Sequence, residues 1–170
     1  AKRLIDQTSL PMSHIAVASG FGSVRRFNDA FRKTYERTPR ELRRHNDEDF
    51  DEGLALSVRL GCSQPFDWDA MLAFLAGRAT PGVEQAVADS YLRTVLVDDL
   101  PGVIECRFDR DKQQAVLLLH GIETAQLFPV VQRVREMLDL DAPTALIREV
   151  LQADSRLAPL VKKQPGVRVP

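Results

Sequence analysis

Basic and amide side chains are concentrated between residues 23 and 44, and their types suit hydrogen bonding to nucleic acid. A guanidinium can bind guanine through two hydrogen bonds, and an apolar side chain such as valine can contact the thymine methyl group. The residues that we expect to read base edges are Val24, Arg25, Arg26, Asn28 and Asp29. Those placed for phosphate oxygens, which position a protein without specifying sequence, are Ser23, Arg32, Lys33, Arg40, Arg43 and Arg44.

Most of these side chains fall on one predicted helix that follows a tight turn. Gly20 permits the positive φ that a sharp turn needs, and Ser23 is a favourable N-cap for the next helix. Phe27 and Phe31 are four residues apart, which gives this helix one buried stripe. The residues on that side of the helix are Phe27, Ala30, Phe31 and Thr34. The opposite face carries Arg25, Asp29, Arg32 and Glu36.

Two shorter predicted helices flank this one and complete a helix-turn-helix. Ile15 and Ala16 occupy the helix before the turn, and Phe21 is expected to point back into the core. Residues 38–41 read Thr-Pro-Arg-Glu, which combines an N-cap, a proline at the first helical position and a capping box. A helix-turn-helix places its second helix in the major groove of DNA. The alternative is an ordinary solvated arginine face, but the turn glycine and the caps favour DNA reading.

Charge is distributed unevenly between the two ends of the chain. The 170 residues together have a formal net charge of −1, which alone would argue against a nucleic-acid partner. Residues 1–45 nevertheless carry +6, and residues 46–170 carry −7. A basic module joined to a domain with another task has this asymmetry. The acidic residues 46–53 mark the expected linker, between a helix-turn-helix domain at 1–45 and a second domain at 54–170.

Cysteine usage and hydropathy set looser bounds on the class of protein. Cys62 and Cys106 have no paired spacing, which favours a reducing compartment over a disulfide scaffold. The sequence has no apolar run near the roughly 18 residues of a membrane helix and no visible signal peptide. We therefore expect a cytoplasmic protein with no membrane partner.

The second domain is predicted to be α+β, with helices packed on an antiparallel sheet. Apolar residues at every second position from Leu54 to Leu60 indicate a half-buried strand. Asp67 is a suitable cap for a helix that continues to about Arg78. Further strands are expected at 91–97, at 103–108, at 115–120 and just before Asp89. A long helix follows, with an apolar stripe formed by Leu127, Val131, Val134 and Leu138. A shorter helix comes after it and holds Leu146, Ile147, Val150 and Leu151.

Nothing in the second domain points to catalysis or to a metal ion. The three histidines are scattered and neither cysteine has the spacing of a metal ligand, so we expect no metal site. Asp67 and Asp69 flank Trp68, but helix capping is the expected role of Asp67. Residues 100–103 read Leu-Pro-Gly-Val, like a helix-hairpin-helix hairpin, yet Ile104 occupies the position of a required glycine. We therefore assign no catalytic residue and no cofactor to this segment.

Residues 15–43 resemble the second helix-turn-helix of AraC-type transcription regulators. The matching residues are Gly20-Phe21, Ser23, Phe27, Phe31-Arg32, Tyr35, Thr38-Pro39 and Arg43. Such regulators have two helix-turn-helix units joined by a long helix, so the resemblance implies that residues 1–7 end that helix. Glu36 departs from the pattern, since the family often has glycine after the aromatic residue that ends the recognition helix. The resemblance implies double-stranded promoter DNA as a partner, with RNA polymerase as a further one.

Residues 54–170 resemble the N-terminal domain of 3-methyladenine DNA glycosylase II. The most specific part is the Pro-Phe-Asp-Trp sequence at 65–68, and the closing Pro-Gly-Val-Arg-Val-Pro at 165–170 adds to it. Cys62 and Gln64 depart from the pattern, which usually has an aromatic residue and a proline there. The resemblance implies a fold like half of the TATA-binding protein and no catalytic residue, because the family's base-flipping site lies in a later helix-hairpin-helix domain.

The two resemblances together are similar to the bacterial Ada/glycosylase fusion regulators of the alkylation response. They imply that this segment binds promoter DNA, and that the longer protein excises alkylated purines and carries a zinc-thiolate sensor upstream. The Pro-Cys-His-Arg motif of a sibling class, which has a methyltransferase after the DNA-binding domain, is absent from this sequence. The alternative is an AraC-type regulator without enzyme activity, whose α+β domain binds a small effector in an apolar pocket.

Overall fold

The computed structural model describes residues 1–7, 10–43 and 56–170. The predicted linker at 46–53, the first strand position Leu54 and the predicted phosphate contact Arg44 lie outside the described residues. The first part of the chain contains α1 Lys2–Gln7, α2 Met12–Ala18, α3 Val24–Tyr35 and α4 Pro39–Leu42. The second part contains β1 Leu56–Gly61, α5 Trp68–Ala76, β2 Glu84–Val87, β3 Ser90–Val97, β4 Leu100–Asp109, β5 Gln114–His120, a 3-10 turn Thr124–Gln126, α6 Leu127–Met137, α7 Thr144–Gln152 and α8 Ala158–Lys163.

Three aromatic rings hold α3 against the rest of the first part, as the sequence predicts. Phe27 and Phe31 are 1% and 4% exposed, and Phe21 packs against this core from the turn. The ring centroids of Phe21 and Phe27 are 5.4 Å apart, and those of Phe27 and Phe31 are 5.7 Å apart. Gly20 has the expected positive φ of +81°. The turn and the aromatic stripe therefore fix which side of α3 faces inward.

The ends of α3 are set by a serine and by a residue in left-handed conformation. The Ser23 hydroxyl accepts a hydrogen bond from the Arg26 backbone N–H at 3.3 Å, which confirms the predicted N-cap. Glu36 ends the helix with φ of 55°, at the position where glycine is common in the resembling family. Thr34 was expected on the buried stripe, but it is exposed and its hydroxyl donates to the Ala30 carbonyl at 3.0 Å. A threonine hydroxyl in a helix can form its hydrogen bond with a backbone carbonyl one turn earlier, so the side chain need not be buried.

The second part is an α+β fold built on one antiparallel sheet with strand order β1-β5-β4-β3-β2. Val58 and Leu60 on β1 are completely buried, which confirms the predicted alternation. The helix α5 begins after Asp67, whose carboxylate accepts from the Ala70 backbone N–H at 3.0 Å, and ends at Ala76. The predicted apolar residues Leu127, Val131, Val134 and Leu138 are all buried, and Val130 of α6 is buried with them. The buried face of the sheet and these helices thus share one core.

The strand β4 begins earlier than the sequence predicts, because it runs through the Pro-Gly pair at 101–102. Pro101 pairs only with Leu96 of β3, since the pairing of β4 with β5 begins at Val103. A strand tolerates proline where one of its edges is free. A Cβ at Gly102 would lie 2.6 Å from Ile122 Cγ1, so close packing requires the glycine. Pro101 and Gly102, which are residue types that often interrupt strands, therefore lie within β4.

The closing segment of the chain docks on the start of α5. The Gly166 carbonyl accepts a hydrogen bond from the Asp67 backbone N–H at 2.9 Å. The Arg168 guanidinium lies 5.6 Å from the Phe66 ring centroid. It also donates to the backbone carbonyls of Ser63, Pro65 and Ala142. Two stretches that are about 100 residues apart in sequence are thereby joined.

The helices α7 and α8 differ from the expectation of helices packed on the sheet. The α7 helix forms where predicted, whereas α8 was not predicted. The apolar residues of this region that remain exposed are Leu146, Ile147, Val150, Leu151, Leu157, Leu160, Val167 and Val169. These eight residues, here called the α7–α8 surface, form an apolar face that the described part of the chain leaves uncovered.

The two parts of the chain contact each other through their helices. The α2 helix packs against the 3-10 turn that precedes α6, and α1 contacts β1. Within the described residues, none of the helices combines the length and apolar character that crossing a bilayer requires.

Replacing Gly166 with alanine tests the docking of the closing segment. The added Cβ would lie 2.7 Å from the Asp67 backbone nitrogen and 3.0 Å from the Phe66 carbonyl carbon. We expect Gly166→Ala to lower the free energy of unfolding by about 1–3 kcal/mol, as overpacking does, in a urea titration. Gly61→Ala is the matched control, because a Cβ there meets no atom within 4 Å. Equal stability of the two variants would contradict the docking.

Replacing Glu36 tests the strain at the end of α3. Because a side chain in left-handed conformation is strained, Glu36→Gly should raise the free energy of unfolding by about 1 kcal/mol. Glu36→Gln removes the charge but keeps the Cβ, so its stability should stay near that of the parent chain. Thermal unfolding of the three proteins measures this. A glutamine variant as stable as the glycine variant would show that charge, not backbone conformation, is responsible.

Candidate nucleic-acid interface

The residues predicted to read bases line the outer face of α3, which the buried phenylalanines turn away from the core. Arg25, Arg26 and Asp29 are exposed, and Val24 at the first helical position is 36% exposed. Asn28 is half-buried on the flank. The structure therefore brings all five together at the N-terminal half of one helix. This is the part of a recognition helix that reaches base edges in a major groove.

The residues predicted to contact phosphates surround that face. Arg32 and Lys33 are exposed in the second half of α3, and Arg40 is exposed in α4. Ser23 stands at the N-terminus of α3, where the helix dipole and the unbonded N–H groups attract anions. Phosphate oxygens on either side of a groove would therefore meet a cation or a helix end. No structural observation tests these contacts, which stay predictions.

Arg43 is used within the protein. Its side chain is half-buried, and its guanidinium donates a hydrogen bond to the Leu10 backbone carbonyl between α1 and α2. This contact joins the end of α4 to the helices that precede the turn. Sequence reasoning placed Arg43 with the phosphate contacts because an arginine near the recognition helix gives no sign of its partner. The contact of Arg43 with phosphate stays a prediction. The hydrogen bond to Leu10 is a structural contact that the sequence did not predict.

A capping box fixes α4 and keeps a carboxylate charged beside the basic face. The Thr38 backbone N–H donates to the Glu41 carboxylate at 2.7 Å, and the Glu41 N–H donates to the Thr38 hydroxyl at 3.3 Å. The hydrogen bonds from the Thr38 backbone and side chain, with the charges of Arg32 and Arg37, lower the pKa of Glu41. Arg37 is an exposed cation near α4 that the sequence reasoning left unassigned. It extends the basic face beyond the predicted set.

The far end of α3 is tied to α1 by a contact that the sequence did not reveal. The Lys2 ammonium lies 5.7 Å from the Tyr35 ring centroid. The Tyr35 ring in turn lies 4.5 Å from that of Phe31. A cation over an aromatic face is attracted by the ring's quadrupole. These contacts hold the C-terminal end of α3 against α1. They give Lys2 a structural role.

Several titratable groups of the second part have structural partners. Asp69 pairs with Arg110 at 2.7 Å, and His120 lies 3.7 Å from Glu105. Burial raises the pKa of Cys106 to about 12, so its thiol is not an activated nucleophile. Among residues 1–7, 10–43 and 56–170, no group of three or more His, Cys, Asp or Glu side chains could hold a metal ion.

Comparison with known proteins identifies the second part. Residues 57–170 match the family model described as the AlkA N-terminal domain. The chain belongs to the AlkA N-terminal domain family. Residues 1–45 match a second model, described as a helix-turn-helix domain, which is of the AraC type. The order of the two domains is the order that the sequence predicts.

Two curated relatives are similar to the chain over its whole length. They are named "Probable bifunctional transcriptional activator/DNA repair enzyme AlkA" and come from Mycobacterium tuberculosis strains CDC 1551 / Oshkosh and ATCC 25618 / H37Rv. Each is 34% identical to the chain over 174 residues, covering 100% of the chain and 35% of the relative. The chain thus spans about a third of the length of the curated relatives it matches.

The closing segment of the chain carries one of the two motifs that best show the resemblance to the AlkA N-terminal domain. The two motifs that best carry the resemblance, at 65–68 and 165–170, contact each other through Gly166 and Arg168. The two motifs pack against each other, so their residues have a structural role. The exposed polar residues of α3 have no such role in the packing of the core.

Replacing Arg25 tests base reading by α3. We expect Arg25→Ala to cost roughly 1–3 kcal/mol in binding to the preferred duplex and to relax discrimination at one base pair. Fluorescence anisotropy with a panel of duplexes, each changed at a single position, measures both effects. An unchanged preference at every position would show that Arg25 does not read a base.

Replacing Arg40 is the matched test for phosphate contact. Because a phosphate contact carries no sequence information, Arg40→Ala should weaken binding to all duplexes alike. It should also reduce the slope of log affinity against log salt by about 1. A change confined to one duplex sequence would contradict this role.

Proposed function

We propose that the chain is the DNA-binding segment of an alkylation-response transcription activator that is also a DNA-3-methyladenine glycosylase. The observation that carries the proposal is the joining of an AraC-type helix-turn-helix to an AlkA N-terminal domain. The two relatives that match the whole chain are named as both a transcriptional activator and a DNA repair enzyme. The ligand of this segment would be double-stranded promoter DNA, and the longer protein would also act on alkylated DNA.

In this proposal α3 enters the major groove. Arg25 and Arg26 would bind base edges from its first turn, while Arg32 and Arg40 would bind the phosphates on the two sides. The charge of +6 on residues 1–45 supports attraction to DNA, and the charge of −7 on the remainder keeps that attraction local. A single helix-turn-helix makes few phosphate contacts. The affinity of this segment should therefore be modest and should fall steeply with salt.

The AlkA N-terminal domain would support the catalytic domain of the longer protein without doing chemistry itself. The supporting observation is the α7–α8 surface, whose eight apolar residues are exposed. Six of these residues line one shared groove, and contiguous apolar surfaces mark protein interfaces. A following helix-hairpin-helix domain would cover the surface and supply the base-flipping site. The aspartates of the Asp67-Trp68-Asp69 sequence have structural roles, because Asp67 caps α5 and Asp69 binds Arg110.

Further properties of the longer protein belong to the same proposal. It would work in the cytoplasm, contact RNA polymerase at activated promoters, and carry an upstream zinc-thiolate sensor, as fusions of this type do. These properties follow from the family resemblance. None of them involves the described residues directly.

Release of methylated bases from DNA tests the enzymatic part of the proposal. The full-length protein should release 3-methyladenine from alkylated duplex DNA, whereas residues 1–170 alone should release none. The matched control is full-length protein with Arg25→Ala, which should bind the promoter more weakly and retain base release. Base release by residues 1–170 would place the active site in this segment and overturn the proposal. Absence of release by the full-length protein would remove its glycosylase part.

A further inference from the structure

A groove lies between β3 and α6, on the side of the sheet that faces the helices. It has a volume of about 320 Å³. This value is near the lower end of the range for small-molecule pockets. The groove is separate from the recognition helix and from the α7–α8 surface. Neither DNA reading nor support of a catalytic domain uses it.

The walls of the groove are apolar on both sides. The sheet supplies Val95, Val97 and Ile104, and α6 supplies Val130, Val134 and Met137. Ile104, Val130 and Val134 also belong to the hydrophobic core, so these walls are parts of a packed structure. Unbranched methionine side chains adapt to ligands of differing shape. An apolar ligand body would therefore be removed from water here without displacing the core.

Two arginines line the groove, and one of them forms an ion pair within the protein. The Arg93 guanidinium lies 3.2 Å from the Glu84 carboxylate and so has an ion-pair partner. Arg133 is exposed on α6 and also lines the groove. Within the described part of the chain, its guanidinium has no ion-pair partner. The groove thus combines an apolar interior with one uncompensated positive charge at its edge.

We propose that this groove binds a small amphipathic carboxylate. The apolar body of the ligand lies against Val95, Val130 and Met137, and its carboxylate pairs with the Arg133 guanidinium. A guanidinium favours planar carboxylates because it can donate two parallel hydrogen bonds. The volume of the groove suits a short aliphatic or aromatic acid and is too small for a peptide helix.

The position of the groove connects it to the DNA-binding part of the chain. Its α6 wall follows directly from the 3-10 turn Thr124–Gln126, and that turn packs against α2. One helix therefore separates the ligand from the helix-turn-helix. A site of this kind is what a regulator with a small effector requires, and it is compatible with a role in DNA repair. The proposal does not depend on the proposed function.

Titration with octanoate, followed by methyl NMR of the chain, tests the proposal. We expect saturable shifts at the methyl groups of Val95, Val130 and Met137. Octanamide has the same apolar body without the charge and should bind about tenfold more weakly, because the charge-assisted hydrogen bonds are lost. Arg133→Gln should weaken octanoate binding by a similar factor, and Arg133→Glu should weaken it further.

Arg107→Gln is the matched control, because Arg107 is an exposed arginine on the opposite face of the sheet. Its octanoate affinity should equal that of the parent chain. All the substituted side chains are exposed, so thermal unfolding should confirm that each variant is folded. Three outcomes would overturn the proposal: no saturable shift, shifts confined to Ile147 and Leu151 on the α7–α8 surface, or equal octanoate affinity of the Arg133→Gln variant. Each of these outcomes leaves promoter binding by α3 as it was.

Discussion

Burial of the Phe27 and Phe31 rings determines the orientation of α3, and the candidate DNA interface depends on that orientation. Both rings are almost completely buried, and side chains four apart share one side of a helix. Once that side is packed, Arg25 and Asp29 must point into solvent. The turn at Gly20 and the cap at Ser23 then decide where the helix begins, and so which residues form its first turn. The candidate base-reading surface is therefore the side of α3 that lies opposite the hydrophobic core.

The AlkA N-terminal domain depends on a contact between its beginning and its end. Docking of Gly166 on Asp67, with Arg168 over Phe66, holds the closing segment beside the first turn of α5. The same first turn buries Trp68, whose indole N–H donates to the Asp89 carboxylate at 2.9 Å. The α7 and α8 helices lie between these anchored points and keep their apolar residues exposed. This arrangement leaves an apolar surface exposed, while much of the inner side of the sheet is packed against the helices.

The features that the sequence predicted correctly are those whose causes are local. The Ser23 and Asp67 caps and the capping box at Thr38 each need only residues within three positions, and each hydrogen bond is present. Long-range contacts explain what was missed. The extension of β4 through the Pro-Gly pair at 101–102 depends on pairing with β3 and on packing against Ile122. The structural role of Arg43 depends on the Leu10 carbonyl, which is distant in the sequence. The groove, likewise, exists only because β3 and α6 meet.

The outer face of α3 is the surface proposed to meet DNA. Backbone amide NMR of the chain, titrated with a promoter DNA duplex, tests this proposal. The largest shift changes should fall within residues 23–36, with smaller ones in α4, and the sheet should be unaffected. Changes centred on the strands, with α3 unperturbed, would contradict it and would place the DNA-binding surface in the AlkA N-terminal domain.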